Sequence, residues 1–195
     1  MARKSAAVRR EEILAATVEE IEATGLRALR VSDVAARLGL SASLVIYHFE
    51  TKEALVAEAF GFAGRQDIDR ARQLATGTAS ALQRLRDVVG WYLPRGSSRS
   101  WKIWIDAWSA GLFDAGLRAT FAALDREWKS ILVRLMDEAI AAGECTAPEG
   151  GTASGATRVL AFLDGLAIQV MVNSESVDTD ALNTWVDDFL TRELG

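Results

Sequence analysis

Apolar residues recur at helical spacing along the whole of this 195-residue chain, and this periodicity limits the possible fold more than any other feature. Leu14, Val18 and Ile21, for example, stand at positions i, i+4 and i+7. The two prolines, Pro94 and Pro148, both fall in stretches with loop composition. Since no segment alternates apolar and polar residues as a strand does, the pattern predicts an all-α protein of about nine helices.

Glycines, serines and prolines divide the pattern into segments. We expect helices at about 8–24, 31–38, 42–49 and 52–74, then around 82–92, 101–112 and 117–143, and finally at about 156–173 and 179–192. The short helices at the front predict an N-terminal domain over residues 1–52. Residues 53–195 then form a larger helical domain, and the fourth helix connects the two.

The segment Val31–Phe49, VSDVAARLGLSASLVIYHF, predicts two short helices joined by a tight turn. Gly39 suits a turn because positive φ costs it little, and Ala35 is small enough to let the second helix approach. With the first helix, this pair predicts a three-helix head that holds a recognition helix, the helix-turn-helix arrangement. An ordinary helical hairpin stays open as the alternative.

The third helix predicts which side chains face DNA when its residues are placed at 100° intervals. Leu44, Val45 and Phe49 are expected to face the core, whereas Ser43, Ile46 and Tyr47 face outward, with Ala42 at the edge and Ser41 as the N-cap. In a major groove, Ile46 would meet thymine methyl groups and Tyr47 would donate to a phosphate. Lys52, at the start of the fourth helix, would reach the DNA backbone.

The net charge of −5 argues against DNA binding if taken alone, but the charges are unevenly placed. Residues 1–52 carry 8 basic and 7 acidic side chains (+1), and residues 53–195 carry 14 basic and 20 acidic ones (−6). Arg3, Lys4, Arg9 and Arg10 precede the first acidic residue and form a basic N-terminal arm. A mildly basic end on an acidic body is compatible with DNA binding.

Residues 9–60 resemble the N-terminal domain of the tetracycline-repressor (TetR) family. The matching stretches are RREEILAATVEEIEATG, VSDVAARLGLS and YHFETKEALV. The resemblance implies a dimeric, DNA-binding transcription regulator, and it adds His48 as a phosphate contact, although a half-buried ring is the alternative. Two positions depart from the family. Arg30 replaces the usual Thr or Ser, so that either Arg30 contacts phosphate or Ser32 takes over the cap of the second helix. Ile46 replaces a common aromatic residue.

Residues 101–172 resemble the C-terminal domain of a subgroup typified by the repressor of choline-to-betaine genes, through WKIWIDAW, ALDREWKSIL and AFLDGLAIQ. The resemblance implies a helical ligand pocket, and we expect its walls to be an aromatic set with one carboxylate: Trp101, Trp104, Trp108, Trp128, Phe162 and Asp164. Core packing is the alternative for each Trp. For Asp164, the candidate partners are a ligand cation, a backbone amide or Arg158 across a dimer, whereas Asp106 is expected to be solvated.

The eighth helix is apolar nearly all round, which predicts that two protomers pair through the last two helices as a four-helix bundle. The expected contact residues are Leu166, Val170, Trp185 and Phe189. No segment reaches the run of about 18–20 apolar residues that would cross a membrane, and none resembles a secretory signal. The sequence therefore predicts a cytoplasmic location.

One histidine, one cysteine (Cys145) and the absence of a metal or phosphate-loop motif argue against an enzyme, a cofactor and a metal site. The sequence therefore predicts a regulator that a small-molecule effector releases from double-stranded DNA, at a near-palindromic operator with half-sites about 34–36 Å apart. A helical enzyme and a helical dimer that binds only a protein partner are the two rival functions.

Overall fold

The structure, a computed structural model, describes residues 5–94, 99–173, 175, 177–178 and 181–195. These ranges hold nine α-helices and no strand, which confirms the all-α prediction. The helices are α1 (Ala6–Thr24), α2 (Val31–Arg37), α3 (Ala42–Phe49), α4 (Lys52–Leu74), α5 (Ala81–Tyr92), α6 (Arg99–Gly111), α7 (Ala115–Ala141), α8 (Thr152–Val172) and α9 (Leu182–Leu194). The basic arm predicted at Arg3 and Lys4, and the predicted start of the ninth helix at residue 179, lie outside the described residues.

Contacts between helices divide the chain into two compact units. Unit 1 comprises Met1–Gln66 and Arg99–Leu124, and unit 2 comprises Asp67–Ser98 and Asp125–Gly195. Helices α4 and α7 therefore contribute residues to both units. The domains predicted from the sequence, 1–52 and 53–195, group the chain differently, because α6 and the start of α7 belong with the N-terminal helices.

The head of unit 1 is built from α1, α2 and α3, and two residue types explain where these helices begin and end. Serine caps open two of them, since Ser5 Oγ accepts from Val8 N and Ser41 Oγ accepts from Leu44 N at 3.2 Å. Gly25 closes α1 with φ of 83°, and Gly39 turns the chain between α2 and α3 with φ of 65°. The predicted cap at Ser41 and the predicted turn at Gly39 are confirmed.

The core of the head is formed by one buried face from each helix, and each buried residue matches the periodicity of its helix. The buried side chains are Ile13, Leu14, Ile21, Val34, Ala35, Val45 and Phe49. An ion pair adds to this packing, because Arg37 Nε on α2 donates to the buried Glu20 on α1 at 2.5 Å. The head therefore holds α3 against two helices and leaves its other face to solvent.

Helix α6 packs against α1 in unit 1, and Asp106 makes the polar contact. Its Oδ2 atom accepts from the backbone N of Leu26 at 2.5 Å. A Cβ atom on Gly25 would lie 3.3 Å from the same oxygen, so the glycine also gives the carboxylate room. The expectation that Asp106 is solvated was wrong, because periodicity within α6 contains no information on the loop after α1.

Unit 2 packs α5, the later part of α7, α8 and α9 around one apolar core. The fully buried side chains include Leu85, Leu132, Leu135, Met136, Leu163 and Leu190. Helix α8 is long and apolar enough to cross a membrane, although the core helix of a water-soluble protein meets the same criteria. About two-fifths of its apolar window is buried within the chain, 39%, so much of its apolar surface has no cover from this protomer.

Candidate DNA-binding and ligand sites

Helix α3 turns Tyr47 to solvent and Val45 and Phe49 to the core, as the sequence predicts. Tyr47 is 80% exposed, so its hydroxyl is available to a phosphate. Two assignments need correction: Leu44 is 37% exposed rather than in the core, and Ile46 is half-buried rather than exposed. Leu44 lies about 100° around the helix from the buried Val45. Leu44 therefore lies beside Tyr47 on the outer face.

The N-terminus of α3 carries small side chains, so a DNA backbone or base edge can come close to it. Ser41, Ala42 and Ser43 are all exposed. The hydroxyl of Ser41 caps the helix and also lies 3.0 Å from the hydroxyl of Ser43. Free backbone N–H groups at a helix N-terminus favour an anion, so a DNA phosphate suits this position.

Helix α2 begins without a side-chain cap. Arg30 occupies the N-cap position, makes no capping hydrogen bond and is exposed. The suggestion that Ser32 takes over the cap was wrong, since its hydroxyl lies 3.3 Å from Asp33 Oδ1 instead. Arg30 is thus an exposed cation at the start of α2. Its predicted phosphate contact stays a prediction.

Lys52 and His48 are both half-buried on the two sides of the turn between α3 and α4. The imidazole of His48 lies edge-on to Tyr47, with ring centroids 5.6 Å apart, and also near Phe49. Thr51 Oγ1 accepts from Ala54 N at 3.0 Å and so begins α4 at Lys52, where the sequence places it. Both readings of His48 therefore stay open.

The basic residues Arg9 and Arg10 are engaged inside the head. Arg9 pairs with Glu12 at 2.9 Å. Arg10 donates to Glu58 and to the carbonyl oxygen of His48. Sequence reasoning missed the two contacts of Arg10, because they join residues 38 and 48 positions apart in the chain.

The tryptophans of α6 form an aromatic cluster in unit 1. Trp104 lies edge-on to Phe60 of α4 at 4.9 Å between ring centroids. Trp108 lies within 6.3 Å of Trp104 and 6.0 Å of Phe121 on α7. Trp101 and Trp104 are buried, so this mutual packing favours the core alternative for them. The Nε1 atom of Trp108 is buried and has no hydrogen-bond partner among the described residues.

A second aromatic cluster lies in unit 2, where Trp91 and Tyr92 of α5 meet Trp128 of α7. Trp128 stacks on Trp91 with centroids 6.0 Å apart and lies edge-on to Tyr92 at 4.8 Å. The Tyr92 hydroxyl donates to Asp164 Oδ1 at 2.7 Å. Within the protomer Arg158 pairs with Glu193, and its expected contact with Asp164 across a dimer stays a prediction. The sequence signal for this cluster was the adjacent Trp91–Tyr92 pair on the apolar face of α5, which we did not connect to Asp164.

Two titratable groups of this cluster, Asp164 and Tyr92, have pKa values above their usual ones. Burial raises the pKa of Asp164 to about 6, while the Tyr92 hydrogen bond opposes that shift and nearby Asp125 adds to it. Burial also raises the pKa of Tyr92 well above its usual value, so its hydroxyl stays a donor. Trp128 is 3% exposed, and its Nε1 has no hydrogen-bond partner in the described part of the chain.

Helices α8 and α9 of unit 2 share an exposed apolar face. Phe162 stacks on Phe189 with centroids 4.2 Å apart and planes 8° apart. Leu166 and Trp185 line the groove beside them. Phe162 therefore belongs to this face rather than with the tryptophans, and Val170, which we expected at an interface, is buried within its own protomer.

Metal-ligand and thiol chemistry receive little support from the described residues. No three His, Cys, Asp or Glu side chains of these ranges come together as a metal site. Cys145 is half-buried, and burial raises the pKa of its thiol, which disfavours the reactive thiolate.

A three-helix head that exposes one short helix, followed by a helical body, defines a helix-turn-helix transcription regulator. Residues 13–59 match the family of bacterial regulatory proteins described as the tetR family, and residues 81–195 match the C-terminal domain of BetI-type transcriptional repressors. The chain belongs to the TetR family and to its BetI-type branch. It is a ligand-responsive, DNA-binding transcriptional regulator and not an enzyme.

Relatives agree with this assignment over nearly the full chain. The HTH-type transcriptional regulator BetI of Vibrio parahaemolyticus is 22% identical, over 96% of this chain and 92% of its own length. BetI 1 of Chromohalobacter salexigens is 24% identical, over 96% and 91%. A transcriptional regulator from Saccharomonospora viridis, solved in complex with choline, superposes with a TM-score of 0.84 at 24% identity, over 96% and 98%. This last likeness establishes the fold.

Proposed function

We propose that this regulator is a homodimeric, cytoplasmic repressor that a small quaternary ammonium compound releases from a near-palindromic operator. The observation that carries the ligand class is the half-buried Asp164 carboxylate, which accepts from the Tyr92 hydroxyl where the Tyr92 ring meets Trp128. The DNA surface, the dimer face and the ligand site each rest on separate contacts, so each has its own test.

The proposed DNA surface is the outer face of α3, with Tyr47 and Leu44, together with Lys52 at the start of α4. Tyr47 is placed to donate to a phosphate and Lys52 to pair with one. Leu44, rather than the half-buried Ile46, presents methyl groups toward the major groove, where the thymine methyl is the matching apolar feature. The small Ala42 and Ser43 allow this helix to come close to the bases.

We expect Tyr47→Ala and Lys52→Ala each to weaken operator binding by roughly tenfold, because each removes one phosphate contact. The slope of log affinity against log salt should fall by about 1 for Lys52→Ala, since one cation fewer displaces counterions. Fluorescence anisotropy with a labelled duplex selected by the wild-type protein measures both quantities. Wild-type affinity together with an unchanged slope in both variants would remove α3 from the DNA surface.

The proposed dimer interface is the exposed face of α8 and α9. Ala161, Gly165, Ile168 and Val172 form one stripe along α8 at spacings of three and four residues, and all are exposed. Trp185 of α9 is 39% exposed and lines a groove with Phe162 and Leu166 of α8. An apolar stripe of this length is costly in water, and two copies of it pair as a four-helix bundle with twofold symmetry.

The proposed ligand site is the aromatic cluster of unit 2. A carboxylate that is partly removed from water is stabilised by a positive partner, and none of the ion pairs among the described residues includes the half-buried Asp164. Lys129 is a nearby cation, but its Nζ pairs with Asp125 at 2.8 Å. The faces of Trp91, Tyr92 and Trp128 attract a cation by their quadrupoles, and a quaternary ammonium group is the cation such faces bind best. A structure with the same fold binds choline, which supports this class.

We expect choline to release the protein from its selected DNA duplex, and dimethylbutanol, in which carbon replaces the nitrogen, to do so at least tenfold less effectively. The difference follows from the cation–π attraction, about 2 kcal/mol in a desolvated site, and from the Asp164 charge. Anisotropy titrations with both compounds measure it. Equal effects of the charged and uncharged compounds would contradict a cation site, and no effect of either would remove choline from the candidate effectors.

A further inference from the structure

One guanidinium group in the head, that of Arg10, contacts three structural elements at once. Its Nη1 donates to the carbonyl oxygen of His48 in the last turn of α3. Its Nη2 donates to the carboxylate of Glu58 on α4. Its Cζ atom lies 4.2 Å from the centroid of the Phe49 ring, which it covers. Arg10 itself belongs to α1, so a single side chain joins α1, α3 and α4.

Two of these contacts, with His48 and Phe49, act on the C-terminal end of the recognition helix. The last carbonyl groups of a helix lack partners within it, and a cation there satisfies one and interacts favourably with the helix dipole. The chain leaves α3 through Glu50, whose φ of 66° is unfavourable for a residue with a side chain. The guanidinium therefore stabilises the end of a helix that is followed by an unfavourable backbone conformation at Glu50.

We propose that Arg10 is a positioning residue for DNA recognition, which fixes the end of α3 to α4 through His48 and Glu58 without touching DNA. The proposal rests on α3 being the DNA-contacting helix. Helix α4 contributes residues to both units of the chain. Its residue Glu58 accepts from Arg10, and Arg10 also binds the recognition helix, so this side chain connects the two helices. The orientation of α3 thus depends on the position of α4.

The competing role for Arg10 is a direct phosphate contact, as its place in the basic N-terminal segment suggests. The two roles differ because both Nη atoms of the guanidinium donate to groups of α3 and α4, and one of its faces lies on Phe49. They also predict opposite effects for Glu58. Removing an acid that only lowers the local positive potential raises DNA affinity, whereas removing the anchor of Arg10 lowers it.

The experiment measures binding of the selected duplex by anisotropy, over a series of salt concentrations, for Arg10→Ala, Arg10→Lys and Glu58→Gln. We expect Arg10→Ala to weaken binding by roughly tenfold or more with an unchanged salt slope, because orientation is lost but no phosphate contact. Arg10→Lys recovers only part of the affinity, since an ammonium group cannot serve carbonyl, carboxylate and ring together. Glu58→Gln weakens binding.

Circular dichroism at the assay temperature confirms that each variant is folded, and affinities are compared per folded protein. Glu11→Gln, an exposed acid next to Arg10 on α1, is the matched control and should keep or slightly raise affinity. A salt slope lower by about 1 for Arg10→Ala, full affinity in Arg10→Lys, or a gain of affinity in Glu58→Gln would each overturn the proposal. Tyr47→Ala is measured alongside: if it binds normally, the assignment of α3 to DNA fails, whatever Arg10 does.

Discussion

Replacing Gly165 with arginine is expected to convert the dimer into folded monomers that no longer hold the operator. A Cβ atom added at Gly165 meets no atom within 4 Å inside the protomer, so a side chain is accommodated there and α8 gains helix propensity. On the exposed stripe of α8, however, two arginines would face each other across a twofold axis. Their charge and bulk keep the apolar faces of Ile168 and Val172 from meeting.

The effect on DNA binding follows from the two half-sites. In a dimer, binding of the first head places the second beside its own half-site, and this gain in effective concentration disappears in a monomer. We therefore expect operator affinity to fall by at least about a hundredfold. Sedimentation velocity at micromolar protein measures the assembly state, and anisotropy with the full operator and with a single half-site measures the affinity.

The matched control is Gly77→Arg, which adds the same side chain and charge at an open position in the turn after α4. It should sediment as a dimer and bind DNA as the wild type does. Gly165→Arg that still sediments as a dimer would place the interface elsewhere than on α8. A monomer that keeps wild-type operator affinity would show that DNA binding needs one head only.

Much of the head was predictable because its signals are local. The cap at Ser41, the turns at Gly25 and Gly39 and the start of α4 at Lys52 each depend on a few neighbouring residues. The outer face of α3 is less well defined by the sequence, because an eight-residue helix has only two turns. Leu44 was therefore expected to face the core, whereas it is exposed in the structure. Short helices leave the angle of a buried face poorly defined by periodicity alone.

The side-chain partners could not be predicted, because they join distant parts of the chain. Asp164 lies 72 positions from Tyr92, and Asp106 lies 80 positions from Leu26. Periodicity reports which face of a helix is buried but not which helix covers it. The tryptophans show the same limit, since one aromatic set was expected to line a single pocket, and the described residues hold two clusters, around Trp104 in unit 1 and around Trp128 in unit 2.

Asp164→Asn is expected to make the protein more stable at neutral pH and unresponsive to choline. Asparagine keeps an oxygen that accepts from the Tyr92 hydroxyl, but it brings no charge into the apolar site. Since burial raises the pKa of Asp164 from 3.8 to about 6, holding the ionised form in the folded chain is unfavourable. Removing that charge should raise the free energy of unfolding at pH 7.5 by on the order of 3 kcal/mol, since each pKa unit corresponds to about 1.4 kcal/mol.

The stability difference depends on pH in a defined direction. Below about pH 4, Asp164 is protonated in both folded and unfolded chains, so the variant and the wild type differ little. As pH rises toward 6, the unfolded chain loses this proton first, which favours unfolding of the wild type only. The advantage of Asp164→Asn therefore grows between about pH 4 and 6 and is constant above that range, and chemical denaturation at several pH values measures it.

Choline binding should follow the charge of Asp164 in the opposite sense. Above about pH 7, the carboxylate is ionised and the affinity is constant, whereas below pH 6 the affinity falls by up to about tenfold per pH unit as a proton competes with the cation. The two charged groups that act on Asp164 itself, Asp125 and Lys129, pair with each other, and Asp67 acts on Tyr92. We expect Asp164→Asn to bind choline at least about thirtyfold more weakly, with no fall below pH 6, by calorimetric titration.

Trp104→Leu separates a ligand role from a structural one in the same assays. Trp104 packs against Phe60 in unit 1, so its loss should cost about 3 kcal/mol of stability while the folded protein still responds to choline. Asp164→Asn should show the reverse, with greater stability and no response. A stable Asp164→Asn that keeps the wild-type choline affinity and pH profile would remove this carboxylate from the ligand site, and a Trp104→Leu that loses the response would return the α6 tryptophans to it.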